Sequence, residues 1–209
     1  MTPARRIDPY VFFLFTVVLS FVWSAIRPRD YAVWIFELSL GIAGVVFLVA
    51  TRRHIPLSGL VYVLAAIHFV ILACGAKYTY AEMPLFNWLR DALSWSRNHF
   101  DRVGHLAQGF IPAMFVREWL RRVGGQRPGP RLSFLCISVC LAFSAFYEIV
   151  EWWIVLKFYP ASGPEWLGMQ GDPWDAQEDM LMAFVGASAS ILMLSSAHER
   201  SMAALRSRR

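Results

Sequence analysis

Aspartate, glutamate and histidine recur at helical spacing in three stretches of this 209-residue chain: Asn98–Gly109, Tyr147–Trp152 and Gln170–Asp179. Asp101 and His105 are four apart, with Gln108 three further on, so on a helix they form one stripe. Glu148 and Glu151 are one turn apart, and Asp175 and Asp179 are four apart. Carboxylates around an imidazole suit two kinds of chemistry. In proton transfer, Glu148 or Asp179 would be general base, His105 acid or base, and Asp101 would orient the imidazole. In cation binding, Asp101, His105, Glu148, Asp175 and Asp179 would be ligands. The mixed set admits Zn²⁺, Mn²⁺ or Fe²⁺, whereas carboxylates alone favour Mg²⁺ or Ca²⁺. His99, Arg102, Gln108, Glu151 and Asp172 accompany these candidates.

Single residues have simpler roles. Asp175 followed by Glu178 matches a helix-capping pair. Glu151 could reach the interface beside Trp152 and Trp153, and His68, with no polar neighbour in sequence, reads as a packing residue. An unpaired ionisable group in a bilayer costs about 2.5 to 3.5 kcal/mol on insertion scales, so the carboxylates call for partners, and Arg97, Arg102 or Lys77 could supply them. Zincin, phosphate-loop and nucleophile-elbow motifs are absent.

The elements that must carry these residues are membrane helices. The chain is 57% hydrophobic and 17% charged, too apolar for a soluble domain of this size. Apolar stretches predict an all-α, polytopic bundle of about six transmembrane helices at Tyr10–Ile26, Ala32–Ala50, Leu57–Gly75, Phe100–Leu120, Phe134–Leu156 and Glu178–Ser196. They make one membrane domain over 1–209. Residues 1–99 read as scaffold, although Glu37 and His68 interrupt it, and residues 100–196 hold the polar site. Gly104, Gly186, Ser188 and Ser190 suit close helix packing. Cys136 and Cys140, four apart in an apolar helix, read as reduced packing residues.

The net charge of +5 fits membrane topology rather than nucleic-acid contacts. Arg5, Arg6, Arg52, Arg53, Arg117, Arg121, Arg122, Arg127, Arg131, Arg200, Arg206, Arg208 and Arg209 fall on one side, against Arg27, Arg29, Lys77, Arg90, Arg97, Arg102 and Lys157 on the other. The richer side is cytoplasmic by the positive-inside rule, so both termini should be cytoplasmic and the first helix an uncleaved signal anchor. The 76–99 and 157–177 segments then face outward. Their Tyr78, Tyr80, Trp88, Trp95, Tyr159, Trp166 and Trp174 suit an aromatic belt.

Three segments, Lys77–Pro84, Ser96–His105 and Gln170–Gln177, resemble the YjdF-type family of bacterial inner-membrane proteins, and the likeness runs over almost the whole chain. That resemblance implies the bacterial cytoplasmic membrane and transfers no reaction. More distantly, Asp101-x-x-x-His105, Glu148-x-x-Glu151 and Asp179 followed by Gly186 are similar to the VanZ-like group, associated with glycopeptide resistance. Glu151 and Ala183 stand where that group usually has Gln and Asn.

The reading that follows is an outward-facing Asp/Glu/His site that binds or modifies a lipid or envelope-linked molecule, with membrane lipids as surroundings and a divalent metal as the one cofactor considered. The alternatives are a proton or cation transporter and a structural membrane protein with a buried polar cluster. Transport needs polar residues toward the cytoplasmic helix ends. Beyond Gln108 the fourth helix is apolar from Gly109 to Val116, which favours a one-sided site.

Overall fold

The computed structural model describes residues 7–160 and 169–206, and these are helical or in short turns. Seven helices lie among them: α1 (Pro9–Ala25), α2 (Tyr31–Thr51), α3 (Gly59–Tyr78), α4 (Pro84–Leu93), α5 (Phe100–Arg122), α6 (Pro130–Phe158) and α7 (Asp175–Arg206). Trp166, expected in an aromatic belt, and the terminal arginines Arg5, Arg6, Arg208 and Arg209 lie outside the described residues.

Local chemistry sets the helix starts. Asp8 accepts from the Tyr10 amide at 2.8 Å ahead of Pro9, which occupies the first turn of α1. Asp30 accepts from the amides of Ala32 and Val33 to start α2. Asn98 accepts from the Phe100 amide at 3.0 Å to start α5, and Pro130 opens α6. Thr79 and Tyr80, both at positive φ (55° and 48°), stop α3.

Four helices, α2, α3, α6 and α7, are long and apolar enough to cross a bilayer. The six expected helices all have counterparts, but length and hydropathy establish only these four as candidate spans. α1 is apolar yet only 17 residues long, and α5 is too polar, because it carries Asp101, Arg102, His105, Gln108, Arg117 and Glu118. The 76–99 segment is more than a loop. It contains α4, whose Leu85, Trp88 and Leu93 are exposed, the character of a helix lying in an interface. Exposed apolar side chains such as Phe15, Phe134, Trp153 and Leu192 cover the outside, a surface suited to lipid rather than water.

The helices alternate in direction. At one end, Pro9 lies beside Gly59, Arg52 reaches Asp8 at 3.8 Å, and the Ser58 and Leu60 amides meet Glu118 and Ser201. At the other end, Lys77 binds the carbonyls of Trp23 and Ile26, and Asn98 and Gln170 exchange two hydrogen bonds of 2.8 and 3.0 Å. α5 runs through the middle, packed most extensively on α7 and also on α6 and α3.

The α5–α7 seam depends on missing side chains. A Cβ on Gly109 would strike the Ala183 carbonyl, and one on Gly186 would strike the Leu106 carbonyl, so the two backbones touch as small-residue helix pairs do. Gly104 has a different task from the helix packing expected of it: a Cβ there would lie 2.7 Å from the Tyr80 ring. Because both clashes are with backbone, Gly109→Val and Gly186→Val should each destabilise the detergent-solubilised protein by at least about 1–3 kcal/mol. Gly44→Ala, with nothing within 4 Å of its added carbon, should leave the thermal midpoint nearly unchanged.

Candidate functional site: a carboxylate, arginine and histidine cluster beside a membrane cavity

The hydrogen bond from the Phe100 amide to Asn98 and the Asn98–Gln170 exchange hold the first turn of α5 beside the segment that leads into α7. Asn98 is fully buried and also donates to Asn87 and to the Met83 carbonyl, tying in α4. Two guanidinium groups then meet five carboxylates. Arg97 lies 2.6 Å from Asp175, 3.4 Å from Asp172 and 3.6 Å from Asp101. Arg102 binds Glu178 at 2.8 Å, Asp175 at 2.9 Å and Asp172 at 3.2 Å, and it also binds Asp179. Multiple pairing of this kind offsets the cost of burying charge near the membrane.

Two expectations change here. Asp175 is the first residue of α7, but its carboxylate serves the two arginines, so the capping-pair reading does not describe it. The turn ahead of α7 is held instead by Asp172, which accepts from the Trp174 amide at 2.9 Å. Lys77 pairs with carbonyls and not with the cluster.

One layer deeper, His105 stands among three carboxylates. Its Nε2 faces Asp101 Oδ1 at 3.6 Å and Asp179 Oδ2 at 3.8 Å, and its Nδ1 faces Glu148 Oε1 at 3.7 Å. Asp101, His105 and Asp179 offer ligand atoms that all lie within 4.8 Å of one another, the spacing of a candidate metal site. Glu148 addresses the opposite side of the imidazole, and Asp175 is taken up by arginine, so neither belongs to that set of three.

His99 is turned away from this group and packs edge-on against Trp95 at 5.1 Å. Partial burial, together with the nearby Arg97 and Arg102 charges, holds its pKa below the usual imidazole value.

A cavity of about 560 Å³ lies beside His105. The polar part of its wall comes from Glu37, His68, Tyr80, Asp101, His105, Gln108, Tyr147 and Glu151, and the rest is mostly apolar, including Phe13, Leu48, Phe69, Ile111, Phe115 and Phe143. α7 contributes nothing to this wall, whereas α2 and α3 do. The cavity expected between the three polar helices is therefore bounded differently, and the first helices are more than scaffold. Glu151 faces the cavity rather than the interface, while Trp152 and Trp153 are exposed. His68 lines the cavity and its Nε2 has no hydrogen-bond partner.

Tyr147 donates to Glu37 Oε2 at 2.8 Å, joining α6 to α2 across the cavity. Pro112, also in the wall, lacks the amide that would have met the Gln108 carbonyl. Tyr80 is a cavity residue packed over Gly75 and Gly104 and not part of a belt, while Trp88, Trp95 and Trp174 remain exposed.

The far end of the bundle holds a polar network that a reading of α5 alone misses. Glu118 and His198, both fully buried, meet at 3.0 Å. Glu118 also accepts from the Ser58 amide and from Arg122 at 2.7 Å. Arg117 contacts His198 Nδ1 at 2.9 Å and Glu199 at 2.7 Å. A guanidinium can only donate, so Nδ1 accepts and the Nε2 hydrogen goes to Glu118. Polar residues are thus not sparse at this end, because α7 continues past Ser196 and brings His198 and Glu199 into reach. The buried Ile111, Ala113 and Met114 separate the two polar layers along α5. Cys136 and Cys140 are free and buried, as packing residues should be.

Removing one partner of such a cluster strands the others. Arg102→Ala should therefore destabilise the protein by about 3–5 kcal/mol, whereas His99→Ala should change stability by no more than about 0.5 kcal/mol. Detergent-phase unfolding monitored by circular dichroism checks both values.

No solved structure matches the chain. It is 38% identical over 187 residues to "Inner membrane protein YjdF" of Escherichia coli (strain K12), covering 90% of this chain and 89% of that one. Residues 9–200 match the family described as "Predicted membrane protein (DUF2238)". An all-helical architecture with several apolar helices, a family of membrane proteins and an inner-membrane relative agree, and the chain belongs to the DUF2238 family of bacterial inner-membrane proteins.

Proposed function

We propose that this protein binds a lipid or envelope-linked amphiphile at the outer leaflet, with the tail in the cavity and the polar head against Asp101, His105, Gln108, Tyr147 and Glu151. The observation that carries this reading is the composition of the cavity wall: apolar along its length and acidic with imidazole at one end. An amphiphile matches that asymmetry, because tail burial is favourable against apolar walls and a few polar groups fix orientation. Gly41 and Gly44 widen the α2 side, where a side chain at Gly44 would meet open space.

In this reading the bundle has six spans, with α5 shielded by α3, α6 and α7, and α4 lies in the outer interface. Both termini are cytoplasmic, which puts Arg97, Asp172 and the cavity's polar end on the outer side. His105, between Asp101, Glu148 and Asp179, has the partners for proton transfer to or from a bound head group. The buried Arg117–Glu118–His198 network gives some support to proton or cation transport. The apolar segment between the two layers favours the one-sided site.

Mass spectrometry of lipids retained by the purified protein tests this directly. The wild type should hold an amphiphile in fixed ratio to protein, and Gly44→Phe, which fills the cavity, should lose most of it without unfolding. Equal lipid retention by Gly44→Phe, or none by the wild type, would contradict the proposal. A reporter fused after Arg209 should be active only on the cytoplasmic side.

A further inference from the structure

The geometry points to a divalent transition-metal site at Asp101, His105 and Asp179, oriented by Arg97, Arg102 and Glu148. One imidazole nitrogen and two carboxylate oxygens, from residues four apart on α5 and one on α7, converge with all ligand atoms within 4.8 Å. A tetrahedral ion with bonds of about 2.0–2.2 Å keeps its donors about 3.4 Å apart. Nε2 of His105 lies 3.6 Å from Asp101 Oδ1 and 3.8 Å from Asp179 Oδ2. These separations are too long for good hydrogen bonds and close to what a shared ion requires.

A second, independent observation concerns His105 itself. It is 8% exposed, its Nδ1 has no hydrogen-bond partner, and the atom it faces, Glu148 Oε1, is likewise buried and unpartnered. Closing that 3.7 Å gap would make Nδ1 the donor to Glu148 and leave Nε2 as a lone-pair donor toward the two aspartates. A carboxylate, histidine and metal in line is the recurrent device that fixes a ligand's tautomer.

Arg102 takes Asp179 through Oδ1, and Arg97 lies nearest Asp101 through Oδ2, so each aspartate is anchored by one oxygen and turns the other toward His105. Cations in that position support the ligands without competing for the same atoms. The imidazole favours Zn²⁺ over Mg²⁺ or Ca²⁺, and the two carboxylates also admit Mn²⁺.

The inference does not rest on the amphiphile reading. Gly44→Phe leaves every metal donor in place, so loss of lipid and loss of metal are separate outcomes.

The test is titration of chelator-stripped, detergent-solubilised protein with Zn²⁺, Mn²⁺ and Mg²⁺. The expected result is one Zn²⁺ or Mn²⁺ per chain with a raised thermal midpoint. His105→Ala and Asp179→Asn should abolish binding, Glu148→Gln should weaken it about 10–100-fold, and His99→Ala should bind as the wild type does. Because Asp179→Asn also removes a partner of Arg102, Mn²⁺-loaded wild type is measured by spin-echo modulation, which detects a directly bound imidazole nitrogen without any variant. A helical, monodisperse wild type that binds none of these ions, metal retained by His105→Ala, or Mn²⁺ without imidazole modulation would each overturn the site.

Discussion

Burial of the Arg102 guanidinium between α5 and α7 is the interaction on which the rest of the structure turns. Left alone near hydrocarbon, that charge would be prohibitive. It is sustained because the carboxylates of Asp172, Asp175, Glu178 and Asp179 come to it from one short stretch of chain. Those acids can reach it because α5 and α7 approach to backbone contact at Gly109 and Gly186. Close packing and charge compensation therefore depend on each other: widening the seam would strand Arg102, and removing Arg102 would leave the acids to repel across the seam.

The same arrangement frees His105. With Arg97 and Arg102 paired to the outer acids, the inner oxygens of Asp101 and Asp179 are left to the imidazole, which also meets Glu148 from α6. The cavity begins on the next side of that ring, where α2 and α3 supply most of the apolar wall and Glu37 bonds Tyr147. A layered site results, with arginine outside, histidine at the boundary and an apolar chamber beyond. At the opposite end, Glu118, His198 and Arg117 clamp α3, α5 and α7 together, so the central helix is fixed at both ends by ionic contacts and in the middle by apolar packing.

Much of this was legible in the sequence. The helices, the Asp101–His105 stripe, the convergence of three polar segments and arginine as counter-ion all follow from spacing and from the cost of burying charge. What spacing cannot encode is which faces of distant helices meet. Glu37 looked like an isolated interruption of a scaffold helix because its partner, Tyr147, is 110 residues away. Tyr80 looked interfacial because nothing local says that Gly75 and Gly104 make room for its ring. Asp175 matched a cap by local pattern, and only the position of the buried Arg97 and Arg102 gives its carboxylate a different task. The Glu118–His198 pair was hidden because its members sit on helices whose ends run past their apolar stretches.

The central claim is that the Asp101–His105–Asp179 layer opens onto a chamber that holds the tail of a membrane amphiphile. Cryo-electron microscopy of the protein in lipid nanodiscs, with a fiducial to make so small a chain tractable, tests it most directly. The account predicts an elongated density between α2, α3, α5 and α6, bounded by Leu48 and Phe115, with its polar end against His105 and Gln108. A chamber closed by side chains, or lipid density confined to the outer faces of the helices, would contradict it.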